Sequence, residues 1–303
     1  IFAIFIYLIS FYMLIKVNGN DIKRLFSVYL NIAVFVALIG LIQELNFFLN
    51  IKWLYDFSHI FPKWRLTLIN ISKNLYFLKV NSILPEPTSF CLTMIAAFFT
   101  AINSFATNNL KLLSKPKSII IIISYILSFS LIGYMGIILV LISCIVSNLK
   151  SKFTFLRIAV LFSFLMLFFL LPDLRLRIKD TYEVFFKGRK AETANLSTFT
   201  FAINTKVTQK TIMEDSLSIA FGKGIGSYEL SYKSNIDDLN TNMTNKPNLN
   251  KKDANSLFLR LLAETGLFGL AAFLLFISTC FIRKINDNSD YLWIINKGIF
   301  ILI

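Results

Sequence analysis

Histidine and cysteine are scarce in this sequence, which contains one histidine and three cysteines among 303 residues. The single histidine, His59, leaves no partner for a multi-histidine metal cluster or for a Ser/His/Asp triad, and it fits an interfacial residue in an aromatic-rich loop. Cys91, Cys144 and Cys280 all lie inside apolar stretches, where a thiol behaves as a small hydrophobe. The sequence therefore predicts no disulfide framework, no metal site and no cofactor.

Charge is also limited, because charged residues make up only 16% of the chain, with 17 acidic against 31 basic side chains. Hydrophobic residues account for 56%, and the mean hydropathy is +0.66. This composition argues against a water-soluble enzyme and predicts an all-α protein, a polytopic transmembrane helical bundle with basic loops. The basic residues form no single stripe interleaved with aromatics, so no nucleic-acid partner is expected.

Apolar runs that approach the roughly 20 residues of a membrane crossing recur along the chain. We predict spans at 1–15, 25–42, 88–105, 119–130, 132–146, 155–171, 256–282 and from residue 291 onward. The first and last runs are cut short, so we expect the chain to be truncated at both ends. Lysines flank the uncharged stretch 118–147 on both sides. The positive-inside rule therefore predicts two short helices there, which turn at 130–133.

With the same rule, we divide the chain into three parts by their predicted position relative to the membrane. Residues 1–171 hold transmembrane helices 1 to 6 with an outer loop at 43–85, whose aromatic residues, including Trp53, Tyr55 and Trp64, indicate an interfacial position. Residues 172–254 form one large extracytoplasmic loop, and residues 255–303 hold helices 7 and 8, the last one incomplete. The large loop carries thirteen Lys or Arg. Because long loops translocate largely regardless of charge, this basic content indicates an anionic partner outside the membrane.

Two charged features flank the predicted spans. Glu86 lies between two prolines directly before a predicted helix, where it is either a helix-capping acid or a rigidly held base at the outer membrane surface. Arg175, Arg177 and Arg189 follow the sixth predicted span. Their guanidinium groups suit either a diphosphate, through bidentate hydrogen bonds, or the anionic headgroups of membrane lipid.

A third charged feature lies within a predicted span. Arg260 and Glu264 are four residues apart, so they share one helix face and form either a functional pair or a structural ion pair that faces other helices. Gly266 and Gly269 follow and would permit close helix packing. In the preceding loop, the glycines of FGKGIGS, which begins at residue 221, predict a flexible turn without the context of a nucleotide-binding loop.

The order and spacing of these motifs resemble the O-antigen polymerase and ligase group of bacterial membrane glycosyltransferases, over about two-thirds of the chain. The motifs are EPTSF from residue 86, LSFSLIGYMG from residue 127, Gly188-Arg189, FGKGIGSYE from residue 221 and NSLFLRLLAETGLFG from residue 255. The ligase-like pattern H-[NSQ]-x9-G-x-x-G is met by Ser256, Gly266 and Gly269, but Asn255 stands in place of its histidine. The chain is therefore more similar to the polysaccharide polymerase (Wzy-type) branch.

The resemblance implies an enzyme of the bacterial cytoplasmic (inner) membrane, multi-pass, with its active site facing outward. It would polymerise polyprenyl-diphosphate-linked oligosaccharide repeat units, such as undecaprenyl diphosphate-linked units, into O-antigen, capsule or exopolysaccharide of the cell envelope. A chain-length regulator protein is a further partner that the resemblance allows. Because no cluster of metal-ligating residues is present, we predict a metal-independent inverting glycosyltransferase. The predicted catalytic residues are Glu86 and Arg189, with Glu264 as a second choice of base, and the predicted substrate-binding residues are Arg175, Arg177, Asn255, Ser256, Arg260 and Glu264.

Three other functions remain open from the sequence. A flippase for lipid-linked oligosaccharides would explain the spans and the intramembrane Glu264, but it would not explain an arginine-rich outer loop. An O-antigen ligase would use the same fold and donor. A scaffold for envelope assembly without enzymatic activity would tolerate neutral substitution of the candidate charges.

Overall fold

A computed structural model describes residues 13, 16, 17, 19, 21–72, 75–106, 112–147, 172–189, 191–236, 249–281 and 290–302. The described residues are mostly helical, with a single two-stranded hairpin, in agreement with the predicted all-α class. The helices are α1 (Ile22–Phe48), α2 (Lys52–Tyr55), α3 (Pro87–Ala106), α4 (Lys115–Ile126), α5 (Leu131–Ser147), α6 (Pro172–Phe186), α7 (Leu196–Met213), α8 (Ser216–Phe221), α9 (Tyr228–Ile236), α10 (Leu257–Thr279) and α11 (Asp290–Leu302). Short 3-10 turns lie at Phe57–His59 and Ala191–Thr193, and strands β1 (Leu68–Ser72) and β2 (Leu75–Leu78) form one antiparallel hairpin.

Within the described part of the chain, three helices are long and apolar enough to cross a membrane: Ile22–Phe48, Pro87–Ser104 and Leu257–Thr279. They overlap the predicted spans at 25–42, 88–105 and 256–282, so these three predictions are confirmed as to length and composition. The predicted span at 155–171 lies outside the described residues, as does nearly all of the one at 1–15.

The uncharged stretch 118–147 forms two helices, α4 and α5, as predicted. The break falls at 127–130 rather than at 130–133, because the chain already leaves the helix at Leu127 and Phe129 adopts a left-handed φ of 45°. Glycine then allows α5 to pack closely on its neighbours. A Cβ atom on Gly136 would lie only 2.6 Å from Ile95 of α3 and 2.8 Å from the hydroxyl of Tyr125 in α4.

The region 43–85 folds back over the end of α1. The indole N–H of Trp64 donates to the carbonyl of Ser82 at 2.8 Å, and the hydroxyl of Ser82 donates to Val36 of α1 at 2.8 Å. Trp64 and Tyr55 are buried by these contacts. The predicted interfacial position is therefore wrong for these two aromatic residues, whereas Trp53, with 68% of its surface exposed, is free to occupy an interface.

The chain divides into two compact units. Unit 1 comprises the described parts of Ile1–Leu171 and Phe281–Ile303, and unit 2 is Pro172–Cys280. In unit 1, α3 packs against α4, α5 and α11, and the rings of Phe98 and Tyr125 stack 4.4 Å apart. In unit 2, α7 packs against α9 and the first half of α10. The core of unit 2 consists of Ala191, Phe199, Ala202, Ile203, Val207, Tyr228, Tyr232, Ala254, Leu259 and Ala263.

Candidate functional site in unit 2

The two motifs FGKG and AETG, some 40 residues apart in sequence, meet in unit 2. Helix α8 ends at Phe221 because Gly222 takes a positive φ of 70° and closes the helix with a hydrogen bond to Ser218. The next two backbone N–H groups leave the helix and point at α10. Lys223 donates to the carbonyl of Ala263 at 3.0 Å, and Gly224 donates to the carbonyl of Glu264 at 2.9 Å.

Glycine is required on both sides of this junction. A Cβ atom on Gly222 would lie 2.6 Å from the carbonyl oxygen of Glu264, and one on Gly266 would lie 2.6 Å from the backbone nitrogen of Gly222. Such distances do not occur between unbonded atoms of this kind. Gly266 therefore allows close packing, as predicted, but the element that it admits is the end of α8 and its glycine turn.

Gly266 also interrupts α10. Its φ of 64° and ψ of −165° lie outside the helical region, so α10 consists of two helical segments joined at a kink. The first segment packs on the core of unit 2 through Leu259 and Ala263, which are buried. The second segment, beyond Gly266, is apolar and mostly exposed. Just before the kink, the carbonyl groups of Ala263 and Glu264 accept the hydrogen bonds from the glycine turn.

Arg260 and Glu264 form the ion pair that their spacing predicts. The Nε atom of Arg260 donates to Oε1 of Glu264 at 3.0 Å. The Glu264 side chain is only 6% exposed, whereas that of Arg260 is 41% exposed. Among the described residues, neither terminal nitrogen of Arg260 has a hydrogen-bond or ion-pair partner. The pair thus combines a buried carboxylate with a guanidinium edge that is available to a ligand.

Asn255 and Ser256 lie at the start of α10. Asn255 adopts a left-handed φ of 58°, its backbone N–H donates to Asp253 at 3.1 Å, and its side-chain oxygen accepts from Asn250 at 2.6 Å. Ser256 is the residue that precedes the helix, and its carbonyl accepts the N–H of Arg260 at 3.0 Å. The predicted substrate-binding residues Asn255, Ser256, Arg260 and Glu264 therefore share one short segment.

Arg189 is held by residues of its own unit. After α6 ends, Gly188 takes a φ of 68° and turns Arg189 back onto the helix. Its guanidinium group donates to Asp180 and Glu183, each at 2.8 Å, and to the side chain and carbonyl of Thr193 at 2.9 and 2.8 Å. Four of its five N–H groups are used in this way. A diphosphate would have to compete with two carboxylates for this arginine.

Asp180 links the same cluster to the start of α7. It accepts hydrogen bonds from the backbone and side chain of Asn195, each at 2.9 Å, and Asn195 caps α7. These bonds, the one from the Asn195 backbone foremost, hold the pKa of Asp180 below its usual range, and Arg189 adds to the effect. The cluster of Asp180, Glu183, Arg189 and Asn195 therefore fixes the turn between α6 and α7.

Arg175 and Arg177 lie on α6, Arg175 exposed and Arg177 half-buried. The described residues offer neither side chain a hydrogen bond or an ion pair. These two guanidinium groups remain open to an anion, unlike that of Arg189. No described contact joins either of them to Arg260 or Glu264.

Glu86 belongs to unit 1. It directly precedes α3, and its carbonyl accepts the N–H of Phe90 at 3.1 Å, which places it at the predicted helix start. Its carboxylate contacts Arg65 at 3.2 Å, and both side chains are largely exposed. The four residues at the start of α10, together with Arg175, Arg177 and Arg189, belong to unit 2.

Lys223 is a charged residue of the glycine turn that sequence reasoning did not single out. Its ammonium group lies 2.6 Å from Glu214 and 3.0 Å from Asp215, at the opposite end of α8 from Lys223 itself. Glu214, and then Asp215, raise the pKa of Lys223. The sequence feature that could have indicated this ion pair is the acidic pair Glu214-Asp215, which lies one short helix before Lys223.

Unit 1 contains buried polar side chains that the sequence did not reveal. Gln43 and Glu44 of α1 are buried, as is Asn81 in the segment that follows β2. The amide group of Gln43 donates to Tyr55 and Ser82, and that of Asn81 donates to Arg65, Leu84 and Pro85. In the sequence, Gln43 and Glu44 look like the polar end of an apolar span. They are buried because residues distant along the chain fold over them.

Unit 1 also contains a cavity of about 690 Å³, which is lined by Asn50, Ile51, Lys52, Trp53, Asp56, Ser58 and His59.

A cluster of three or more metal-ligating side chains is absent from the described residues. The chain matches no protein-family model, and comparisons with curated proteins and with solved structures gave no significant match.

Proposed function

We propose that the chain is a multi-pass membrane glycosyltransferase that extends a polysaccharide from polyprenyl-diphosphate-linked repeat units. The observation that carries this proposal is the junction of FGKG with AETG, which joins two motifs of the resemblance around the buried Glu264 and its partner Arg260. A residue that contributes to chemistry needs a fixed position. Two backbone hydrogen bonds to α10 and two glycine contacts provide that rigidity here.

The proposed reaction needs a base and a group that neutralises a leaving diphosphate. The acceptor hydroxyl attacks the anomeric carbon of the donor sugar, the bond from that carbon to the phosphate oxygen breaks, and the hydroxyl proton passes to a carboxylate. Glu264 is the base that the geometry favours, because it is buried and one of its oxygens is held by Arg260. The departing polyprenyl diphosphate carries away the bonding electrons.

Arg260 is the cation of unit 2 that best suits the diphosphate. Its terminal nitrogens have no partner among the described residues, so they can bind two phosphate oxygens at once. Arg189 is less suited, since two carboxylates already occupy its guanidinium group. Arg175 and Arg177 can add to the local positive potential. The roles predicted for Glu86, Arg189, Asn255 and Ser256 remain predictions.

The topology is part of the proposal. Residues 172–254 would face away from the cytoplasm, with the active site on the outer side of a bacterial cytoplasmic membrane. Three apolar helices support a location in a membrane, and the orientation follows from applying the positive-inside rule to the lysines that flank 118–147. The donor is a membrane lipid, so an enzyme that uses it must present its binding groups close to the bilayer surface.

A polymerisation assay tests the proposal. The purified full chain in lipid nanodiscs would be incubated with polyprenyl-diphosphate-linked repeat units, and the products would be separated as a ladder on a gel. We expect Glu264→Gln to abolish the ladder. Glu229→Gln is the matched control, because Glu229 forms a surface ion pair with Lys233 in the same unit, and it should leave the ladder unchanged.

Two other results would favour different functions. Translocation of the lipid-linked unit across liposomes without lengthening would indicate the flippase. A single transfer to a lipid A core acceptor without a ladder would indicate the ligase. A ladder of wild-type length from well-folded Glu264→Gln would remove Glu264 as the base.

A further inference from the structure

A short part of the basic segment 172–254 presents an apolar surface next to α10. Leu217 and Phe221 of α8 are 70% and 62% exposed, and Ile225 of the glycine turn is 73% exposed. Phe268 of α10 is 64% exposed, and its ring lies 5.4 Å from that of Phe221. Phe221 and Phe268 are therefore in contact across two elements, and Leu217 lies one helical turn before Phe221 on the same side of α8. We refer to Leu217, Phe221, Ile225 and Phe268 as the apolar patch. Soluble surfaces rarely expose apolar patches of this kind without a partner.

We propose that α8 and its glycine turn insert into the membrane, so that lipid acyl chains cover Leu217, Phe221 and Ile225. Beyond Phe268, the second half of α10 remains exposed, with Leu274, Leu275 and Phe276 between 55% and 66% exposed. That half follows the kink at Gly266 and carries no charge, and α10 over its full length is long and apolar enough to cross a bilayer. Because Phe268 of this half contacts Phe221, the patch faces the same hydrocarbon as the half itself. This inference is independent of the glycosyl-transfer reaction.

The backbone of the turn fits a place within lipid. Irregular backbone at membrane depth is tolerated only where its polar groups are bonded within the protein. The N–H groups of Gly222, Lys223 and Gly224 donate to Ser218, Ala263 and Glu264 respectively. The N–H groups of residues 222–224 therefore meet this condition, through bonds to α8 and to α10.

The distribution of charge supports the same orientation. No charged residue occurs in 216–222 or in 265–279. Lys223 is the charged residue of the turn, and its ammonium group reaches back to Glu214 and Asp215 at the start of α8. A long side chain whose apolar stem lies along buried surface while its charged end returns to the polar side is the arrangement known as snorkelling. The start of α8 therefore lies toward the headgroups, and Phe221 and Ile225 lie deeper.

Spin labels in the full chain would test this insertion. The background would be Cys280→Ser, because Cys280 is exposed whereas Cys91 and Cys144 are buried. Ile225→Cys and Leu217→Cys would each be labelled in nanodiscs of phosphatidylcholine and phosphatidylglycerol. Phe276→Cys on α10 is the lipid control, and Gln209→Cys, at an exposed position of α7, is the water control.

We expect the labels at 225 and 217 to relax faster with oxygen than with a water-soluble nickel chelate, as the label at 276 does, and the label at 209 to show the opposite order. Two independent sites guard against the misfolding of one variant. Preferential relaxation by the nickel chelate at both sites would overturn the insertion. Weak relaxation by both reagents at both sites would also overturn it, because it would show that protein rather than lipid covers the patch.

Discussion

The backbone N–H of Gly224 donates a 2.9 Å hydrogen bond to the carbonyl oxygen of Glu264. This bond ties a glycine turn to the helix residue whose carboxylate is buried beside Arg260. Because the turn also passes Gly266 at the kink of α10, its position and that of the carboxylate are set together.

Gly266→Ala should destabilise unit 2 more than Gly188→Ala does. Both glycines have a φ between 64° and 68°, but a Cβ atom on Gly266 would collide with the backbone of Ala220 and Gly222, whereas one on Gly188 meets nothing within 4 Å. A strained positive-φ conformation alone costs about 1–3 kcal/mol for a residue with a Cβ atom, and the collision at Gly266 adds to that cost. Thermal unfolding in detergent would compare the two variants. Equal midpoints would contradict the tight junction.

Arg189→Ala should lower stability by about 1–2 kcal/mol, because it leaves Asp180 and Glu183 without their shared cation. Arg175→Ala should have almost no effect, since the described residues give Arg175 no partner. Hydrogen exchange of residues 187–195 would report the loosening directly. An Arg189→Ala protein with wild-type stability and no polymer would instead restore Arg189 as a group that acts on substrate.

Arg260→Lys should reduce the rate of polymerisation about tenfold or more, which corresponds to roughly 1.4 kcal/mol of transition-state stabilisation. Lysine can keep the contact with Glu264, but it lacks the planar pair of donors that fits two phosphate oxygens. The initial rate of consumption of lipid-linked units would be measured. Lys233→Arg, which changes a surface ion pair to Glu229, is the control with an unchanged rate. Full activity of Arg260→Lys would exclude bidentate binding at this site.

Acid should weaken unit 2 through Asp215. The backbone N–H of Ser218 foremost, together with Lys223, lowers the pKa of Asp215 from its usual 3.8 to about 2. A carboxyl group with a lower pKa in the folded state stabilises the fold above about pH 4 and loses that contribution as the pH falls toward 2. Thermal midpoints between pH 6 and pH 2.5 should therefore fall less for Asp215→Asn than for the wild type. Identical curves would show that Asp215 contributes nothing to acid sensitivity.

Local patterns predicted part of the helical structure, whereas the helices α6 to α9 lie in the segment 172–254 that was predicted only as a loop. The predicted span at 88–105 matches α3, because Pro87 suits the first turn of a helix and the apolar run that follows has no breaker. The contact of Arg260 with Glu264 was also predicted, since a spacing of four brings side chains together on any helix. Both predictions use geometry within a few consecutive turns.

Burial was predicted less well. Trp64 read as an interfacial aromatic, yet it donates to Ser82 inside unit 1, because the segment that covers it lies 18 residues further along the chain. Arg189 was predicted to bind an external anion, yet its guanidinium group is bound by side chains of α6 and by Thr193. In both residues, the side-chain type allowed two environments, and the fold of the surrounding chain selected one.

The sequence by itself determined that this is a helical chain with apolar runs of membrane length, and which charged residues lie one turn apart. These properties follow from composition and from short-range periodicity. Only the tertiary structure decided that FGKG lies on AETG, that Gly266 breaks α10, and that Arg189 is held while the terminal nitrogens of Arg260 have no partner among the described residues. The reason is physical: such contacts join segments that are distant along the chain, and many pairings are compatible with the same local pattern until packing and backbone hydrogen bonds select one.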